Sequence, residues 1–175
     1  MIVIKPDSIT DAILTSSIPE PDTARGEVAW SAGTYTLGDQ VIKASTHKVY
    51  EVVADPSTTD DPEVGITKTP ATWVIVGATN RYKMFDSTIG YQSMGGTTLD
   101  VDFDFGLMVS SLAGFNITGT ESINIKVTDP TDGVVYDRDI NMRDNSIVEG
   151  WHDYFFKPIE INTRFILNDF PTYPE

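Results

Sequence analysis

The chain has two histidines, His47 and His152, and no cysteine. Thiol catalysis, disulfide frameworks and zinc–thiolate centres are therefore excluded. A hydrolytic triad needs a base within hydrogen-bond reach of a hydroxyl, and an acid to orient that base. His47 lies in a polar stretch, "ASTHK", and His152 stands beside Trp151. Neither has the spacing of a nucleophile elbow or a zinc protease around it. No phosphate-cradling glycine loop or dinucleotide fingerprint occurs.

Carboxylates are the abundant chemistry, with 26 acidic residues against 12 basic ones and a net charge of −14. Glycoside hydrolysis requires two carboxyls facing across one bond, one of them raised in pKa by apolar surroundings. The acids of this chain fall instead in turns and on polar strand faces. Asp100, Asp102 and Asp104 alternate along "TTLDVDFDFG" and share one face of an expected strand. Calcium needs six to eight oxygens converging on a point, whereas residues two apart in a strand stand about 6.5–7 Å apart. The three read as a solvated face that blunts strand-edge pairing. No catalytic residue, no metal site and no cofactor is expected, and the chain reads as non-enzymatic.

Before residue 81 there are 11 acidic and 5 basic residues, and from 81 onward 15 and 7, giving −6 and −8. Both halves repel nucleic-acid phosphates, so no nucleic-acid partner is expected. No run approaches the roughly 18–20 apolar residues of a membrane span, and no membrane insertion is expected. The opening "MIVIKPDSITDAIL" does not read as a secretory leader.

The elements that must position these groups are mostly short strands. Residues 1–27 read as an extended arm with a turn over Asp11–Leu14, its apolar residues Ile2, Ile4, Ile9, Ile13 and Leu14 needing a surface to lie against, on the same chain or on a neighbouring subunit. Residues 28–78 read as a small β domain. Val41 and Ile42 follow the "LGD" turn, "KVYEVVA" makes the next strand, and "TWVIVG" closes the unit. Between the last two lies a polar loop of about 17 residues, a length that is often functional. Residues 79–86, "TNRYKMFD", form a junction rich in groups that pack and pair. Residues 87–175 read as a β-sandwich of jelly-roll type. Its clearest hairpin is "INIKVTDPTDGVVYDRDINM", with an Asp-Gly turn; "WHDYFFKPIE" and "RFILNDF" supply further strands. The sequence stops as that last strand ends, which reads as one part of a longer natural protein.

Trp30, Tyr35, Tyr50 and Trp73 are four large rings within the small domain. Rings in so small a unit form its core, because aromatics give the largest burial per residue. Exposed on a flat β face, the same rings would stack on sugar.

Trp30, Tyr35, Gly38, Asp39, Val41, Tyr50 and Trp73 follow in that order within residues 28–77. This string resembles the small chitin-binding-type carbohydrate-binding modules, and the resemblance implies an all-β module with those four rings as candidate glycan contacts. Over most of the chain the arrangement is similar to a group of tailed-bacteriophage virion proteins. In these a carbohydrate-binding-like module precedes an Asn-Arg-aromatic-x-Met-Phe-Asp junction, matched here by Asn80, Arg81, Tyr82, Met84, Phe85 and Asp86. This resemblance implies a structural protein of the virion tail, made in the host cytoplasm and placed at the tail tip, baseplate or fibre-attachment region. Its partners would be other virion proteins and further copies of itself, with host surface polysaccharide as an alternative ligand. Arg81, Tyr82, Met84, Phe85 and Asp86 would then dock the two domains. Tyr82 would pack toward the first, Met84 and Phe85 into the second, and Arg81 would pair with Asp86 or a neighbouring carboxylate.

Overall fold

The computed structural model describes residues 8–88, 90–144, 150–156 and 160–170. It is an all-β chain that divides into two compact units, one spanning Ile9–Asp104 and the other taking in Phe105–Glu175.

The first unit contains β1 (Leu14–Ser16), β2 (Tyr35–Thr36), β3 (Gln40–Lys43), β4 (Lys48–Val52), β5 (Ser57–Thr58), the one-turn helix α1 (Pro62–Gly65), β6 (Trp73–Ala78) and β7 (Val101–Phe103). Its sheet is β3–β4–β6, all antiparallel. The "LGD" turn feeds β3 because Gly38 takes φ +89°, a left-handed conformation open to glycine. Asp39 then accepts from the Thr36 amide and hydroxyl at 2.7 and 2.9 Å. Val41, Tyr50, Val52 and Trp73 form the core, with Trp30, Tyr35, Ala54 and Ile66 packed around them. The buried Tyr50 hydroxyl is satisfied by Thr46 Oγ1 at 2.9 Å. Between β4 and β6 the register slips after Val49, which pairs with Gly77 while Tyr50 pairs with Ile75. Val74, Ile75 and Val76 of this outer strand are exposed, and Val76 is the extra residue of the bulge.

The loop after β4 is more structured than the sequence indicates. It holds β5, paired with β2, and α1, which Asp61 caps by accepting the Glu63 amide at 2.9 Å. Pro62 stands at the first helical position, where its missing N–H costs nothing. A β-carbon on Gly65 would lie 2.3 Å from Trp73 Cδ1, so only glycine lets α1 rest on that ring.

Lys43 stands opposite Lys48 in the β3–β4 register, and its ammonium turns away to Asp61 and Glu63 at 2.8 and 2.7 Å. The hydrogen bond from Lys43 holds the Asp61 carboxyl below the usual carboxylate range. A depressed folded pKa gives stability that is present above the unfolded value, about 3.9, and is lost as pH falls through the folded one. Asparagine caps a helix as well as aspartate, so Asp61→Asn isolates the ion pair. The variant is expected to lose about 1 kcal/mol or less near pH 7, and the gap to the parent should close toward pH 3 in urea melts. A gap that stays constant with pH would count against the ion pair.

Of the two surfaces open to the arm, the same chain supplies it: from Ile9 onward the segment belongs to the first unit, and not to a neighbouring subunit. Thr10 accepts from the Ile13 and Leu14 amides, which makes the expected turn, and β1 then pairs with β7, Leu14 against Phe103. Leu14 and Ile18 are buried. Ile2 and Ile4 lie outside the described residues. The expected boundary at residue 87 moves to residue 104, because β7 closes onto β1 inside the first unit.

The second unit contains β8 (Leu112–Gly114), β9 (Ser122–Asp129), β10 (Gly133–Asn141), β11 (Arg143–Asp144), the helix α2 (Trp151–Phe156), β12 (Glu160–Ile161) and β13 (Phe165–Leu167). Among the described residues three antiparallel pairs result, β9–β10, β8–β13 and β11–β12. The β9–β10 hairpin forms as its sequence indicates, with Asp129 accepting from the Thr131 and Asp132 amides across the turn. Ile125, Leu167 and Phe170 make the core, joined by residues of β8, β9, β10 and β13. "WHDYFF" is helical where a strand was expected, with Trp151, Phe155 and Phe156 exposed; residues 157–159 of the same expected strand lie outside the described residues.

Candidate functional site

The octet "TNRYKMFD" opens with a turn. Thr79 accepts from the amides of Tyr82 and Lys83, and a single 3-10 turn follows over Lys83–Phe85. This geometry drives Thr79, Asn80 and Tyr82 inward, and all three are buried. The octet lies within the first unit, and the partners described below belong to that unit.

Tyr82 stacks on His47 with ring centroids 3.7 Å apart, and Phe85 meets Tyr82 edge-on at 6.1 Å. Phe85 also meets Phe103 of β7 edge-on at 5.7 Å. Rings therefore run from the β3–β4 turn to the strand that closes the unit. Burial raises the pKa of the Tyr82 hydroxyl, and that hydroxyl donates to Asp11 Oδ1 at 2.6 Å. Met84 is half-buried and its amide donates to Ser93 Oγ at 2.9 Å.

Arg81 does not pair with Asp86. Its guanidinium reaches the Leu14 carbonyl at 3.5 Å, while Asp86 accepts from the Thr88 amide and hydroxyl at 3.1 and 3.0 Å. The 3-10 turn between them directs the two side chains to different neighbours.

Asn80 holds a network that sequence spacing did not reveal. Its Nδ2 donates to Asp22 Oδ2 at 2.8 Å and to the Met94 carbonyl at 2.9 Å, while its Oδ1 accepts the Met94 amide at 2.9 Å. Glu27 accepts from the Asp22 amide with one oxygen and from the Asn80 amide with the other. Arg25 donates to the carbonyls of Met94 and Gly95 and lies 3.5 Å from Asp22. One side-chain amide thus ties three segments distant in sequence.

On the other side of the octet, His47, Asp11 and Glu20 converge. Each offers a ligand atom, and these atoms all lie within 4.8 Å of one another. They were not paired in the sequence because they are spread over three separate segments. The neighbouring hydroxyl, on Thr79, is buried and donates to Glu20 Oε1 at 2.6 Å, so it is not placed as a nucleophile.

The four rings proposed as sugar contacts divide differently. Tyr50 and Trp73 are each 1% exposed and belong to the core, so neither presents a face to a ligand. Trp73 Nε1 donates inward, to the Asp60 carbonyl at 3.0 Å. Trp30 and Tyr35 are half-buried against the same core. Tyr35 meets Trp73 edge-on at 5.4 Å, and the Lys43 ammonium lies 5.1 Å from the centroid of the Trp30 ring. Asp100, Asp102 and Asp104 flank or enter β7, a three-residue strand, and form no metal-ligating group among the described residues. His152 lies on α2 in the second unit.

The chain matches no protein-family model, no curated protein and no solved structure.

Proposed function

We propose that this chain is a non-enzymatic structural component of a tailed-phage virion, sited at the tail tip, baseplate or fibre-attachment region. The observation that carries the reading is how the octet is used. Thr79, Asn80 and Tyr82 are buried and hydrogen-bonded, and Tyr82 and Phe85 join a run of packed rings, so the most distinctive string in the sequence is spent on rigidity. A particle component needs that rigidity, and a catalytic loop would keep a nucleophile or base free instead. The finer architecture belongs to the same proposal: a carbohydrate-binding-like module over residues 28–78, and a sandwich built on the β9–β10 hairpin and the β8–β13 pair.

Attachment in this reading comes from many modest protein–protein contacts repeated over a multimer, where high effective concentration replaces any single strong site. The exposed aromatic residues of α2 supply apolar area for such contacts. Immunogold electron microscopy of the corresponding particles tests the proposal. Label at the tail tip or fibre bases supports it, and label at the head or neck keeps a structural role but moves its place. Particles with accessible epitopes and no label would end the virion reading.

A further inference from the structure

His47 occupies the turn between β3 and β4 at φ +55°, a left-handed conformation that costs a residue with a β-carbon roughly 1–2 kcal/mol. Such a conformation persists where the surroundings over-determine it. Here the imidazole is held on both edges and one face. Nδ1 lies 3.0 and 3.2 Å from the Glu20 carboxylate oxygens, Nε2 lies 3.4 Å from Asp11 Oδ2, and the Tyr82 ring covers a face. Each carboxylate is fixed in turn by a hydroxyl, Asp11 Oδ1 by Tyr82 and Glu20 Oε1 by Thr79, both at 2.6 Å. Asp11 Oδ2 is thereby aimed at Nε2.

The two nitrogens are not equivalent. The Nδ1 contact has hydrogen-bond length, whereas 3.4 Å is long for a charge-assisted N–H···O bond, which runs about 2.7–2.9 Å. Two ligands bound to one zinc at about 2.0–2.1 Å, and separated by the tetrahedral angle, stand about 3.3–3.4 Å apart. The remaining nitrogen already has the partner that metal-bound histidines use, a carboxylate accepting the far ring N–H and fixing the tautomer.

We propose that His47 Nε2 and Asp11 Oδ2 bind a divalent transition cation of the zinc class, oriented by Glu20 on Nδ1, with water completing the shell. An imidazole in the donor set favours zinc over calcium or magnesium, which take oxygen donors. Asp11 is exposed and gives the ion access from solvent, while the Glu20 side chain is only 4% exposed and acts as a fixed backing. The bound ion links the segment ahead of β1 to the β3–β4 turn, a cross-link in a chain without disulfides. Its binding free energy then adds to the stability of the unit.

The test is a titration of the full chain with zinc chloride near neutral pH, read by calorimetry and by the thermal midpoint. One saturable equivalent and a raised midpoint are expected. Affinity should fall at least about tenfold in D11N and about 10–100-fold in E20Q, and binding should be lost in H47Q but unchanged in H152Q. Asp11→Asn changes an exposed side chain and keeps an oxygen for the Tyr82 hydroxyl, so it tests the site even where the His47 variant fails to fold. Cobalt(II) in place of zinc should give intense tetrahedral absorption bands in the parent and not in D11N. Absence of stoichiometric binding, equal binding by parent and D11N, or loss of binding in H152Q would overturn the proposal.

Discussion

Trp73→Ala is expected to destabilise the first unit by about 3–5 kcal/mol, the cost of removing a large buried ring. Domains commonly hold about 5–15 kcal/mol in total, so the variant will be unfolded or close to it. Three losses coincide at this position. The ring fills the centre of the Val41, Tyr50 and Val52 cluster, its N–H satisfies the Asp60 carbonyl, and its Cδ1 is the surface that Gly65 approaches. The loop between β4 and β6 is also anchored there, because Asp60 accepts from Lys68 Nζ and Thr72 Oγ1 as well. Urea unfolding followed through tyrosine and the remaining tryptophans measures the effect. Trp151→Ala is the control, since a ring 75% exposed should change stability by within about 0.5 kcal/mol. A loss below about 1 kcal/mol for Trp73→Ala would mean that the ring is not the keystone of this core.

Asn80→Asp exchanges one NH2 for an oxygen, yet it should cost roughly 3–5 kcal/mol near pH 7, a penalty on the scale of an uncompensated buried charge. The new oxygen would face Asp22 Oδ2 and the Met94 carbonyl, where the amide now donates at 2.8 and 2.9 Å. Two carboxylates so close raise the pKa of the pair in the folded state. Stability in the variant is therefore greatest below the unfolded carboxyl value and is lost as pH rises through the folded one. Urea midpoints of parent and variant should converge as the pH is lowered from 7 toward 4.5. A variant as stable as the parent at pH 7 would refute the keystone role given to this amide.

Local pattern made some of this architecture legible. The β9–β10 hairpin was readable because its Asp-Gly turn and flanking alternation are contiguous, and β3, β4 and β6 because apolar pairs stand between turn residues. The helix α2 was misread because "WHDYFF" is rich in aromatics that favour strands. A usable signal was present in its spacing. Trp151 meets Phe155 and His152 meets Phe156, ring on ring at i and i+4, which is a helical relation. The boundary at residue 104 was hidden for a different reason. Pairing of β1 with β7 joins residues 14–16 to 101–103, and neither composition nor charge changes at the point where the unit closes. Of the two readings of the four rings, the core one holds at Tyr50 and Trp73 and the sugar-contact one fails there, since both rings are buried. Asn80 was seen as part of a motif, but its partners Asp22 and Met94 lie 58 and 14 residues away, beyond any local pattern. Asp11, Glu20 and His47 escaped for the same reason, since each alone is an ordinary polar residue in a turn or loop.

The pairing of β1 with β7 also decides how the first unit responds to force. The strands are antiparallel and the chain enters and leaves at the same end of the ladder, beside the pair Leu14 and Phe103. Tension along the chain therefore unzips this pair one rung at a time, instead of shearing all its rungs together, and the ladder is only three residues long. Ahead of it, on the entering side, stands Asp11 with its bond to Tyr82, and behind it Glu20 against His47. Under load the ladder is a weak latch between two polar fasteners.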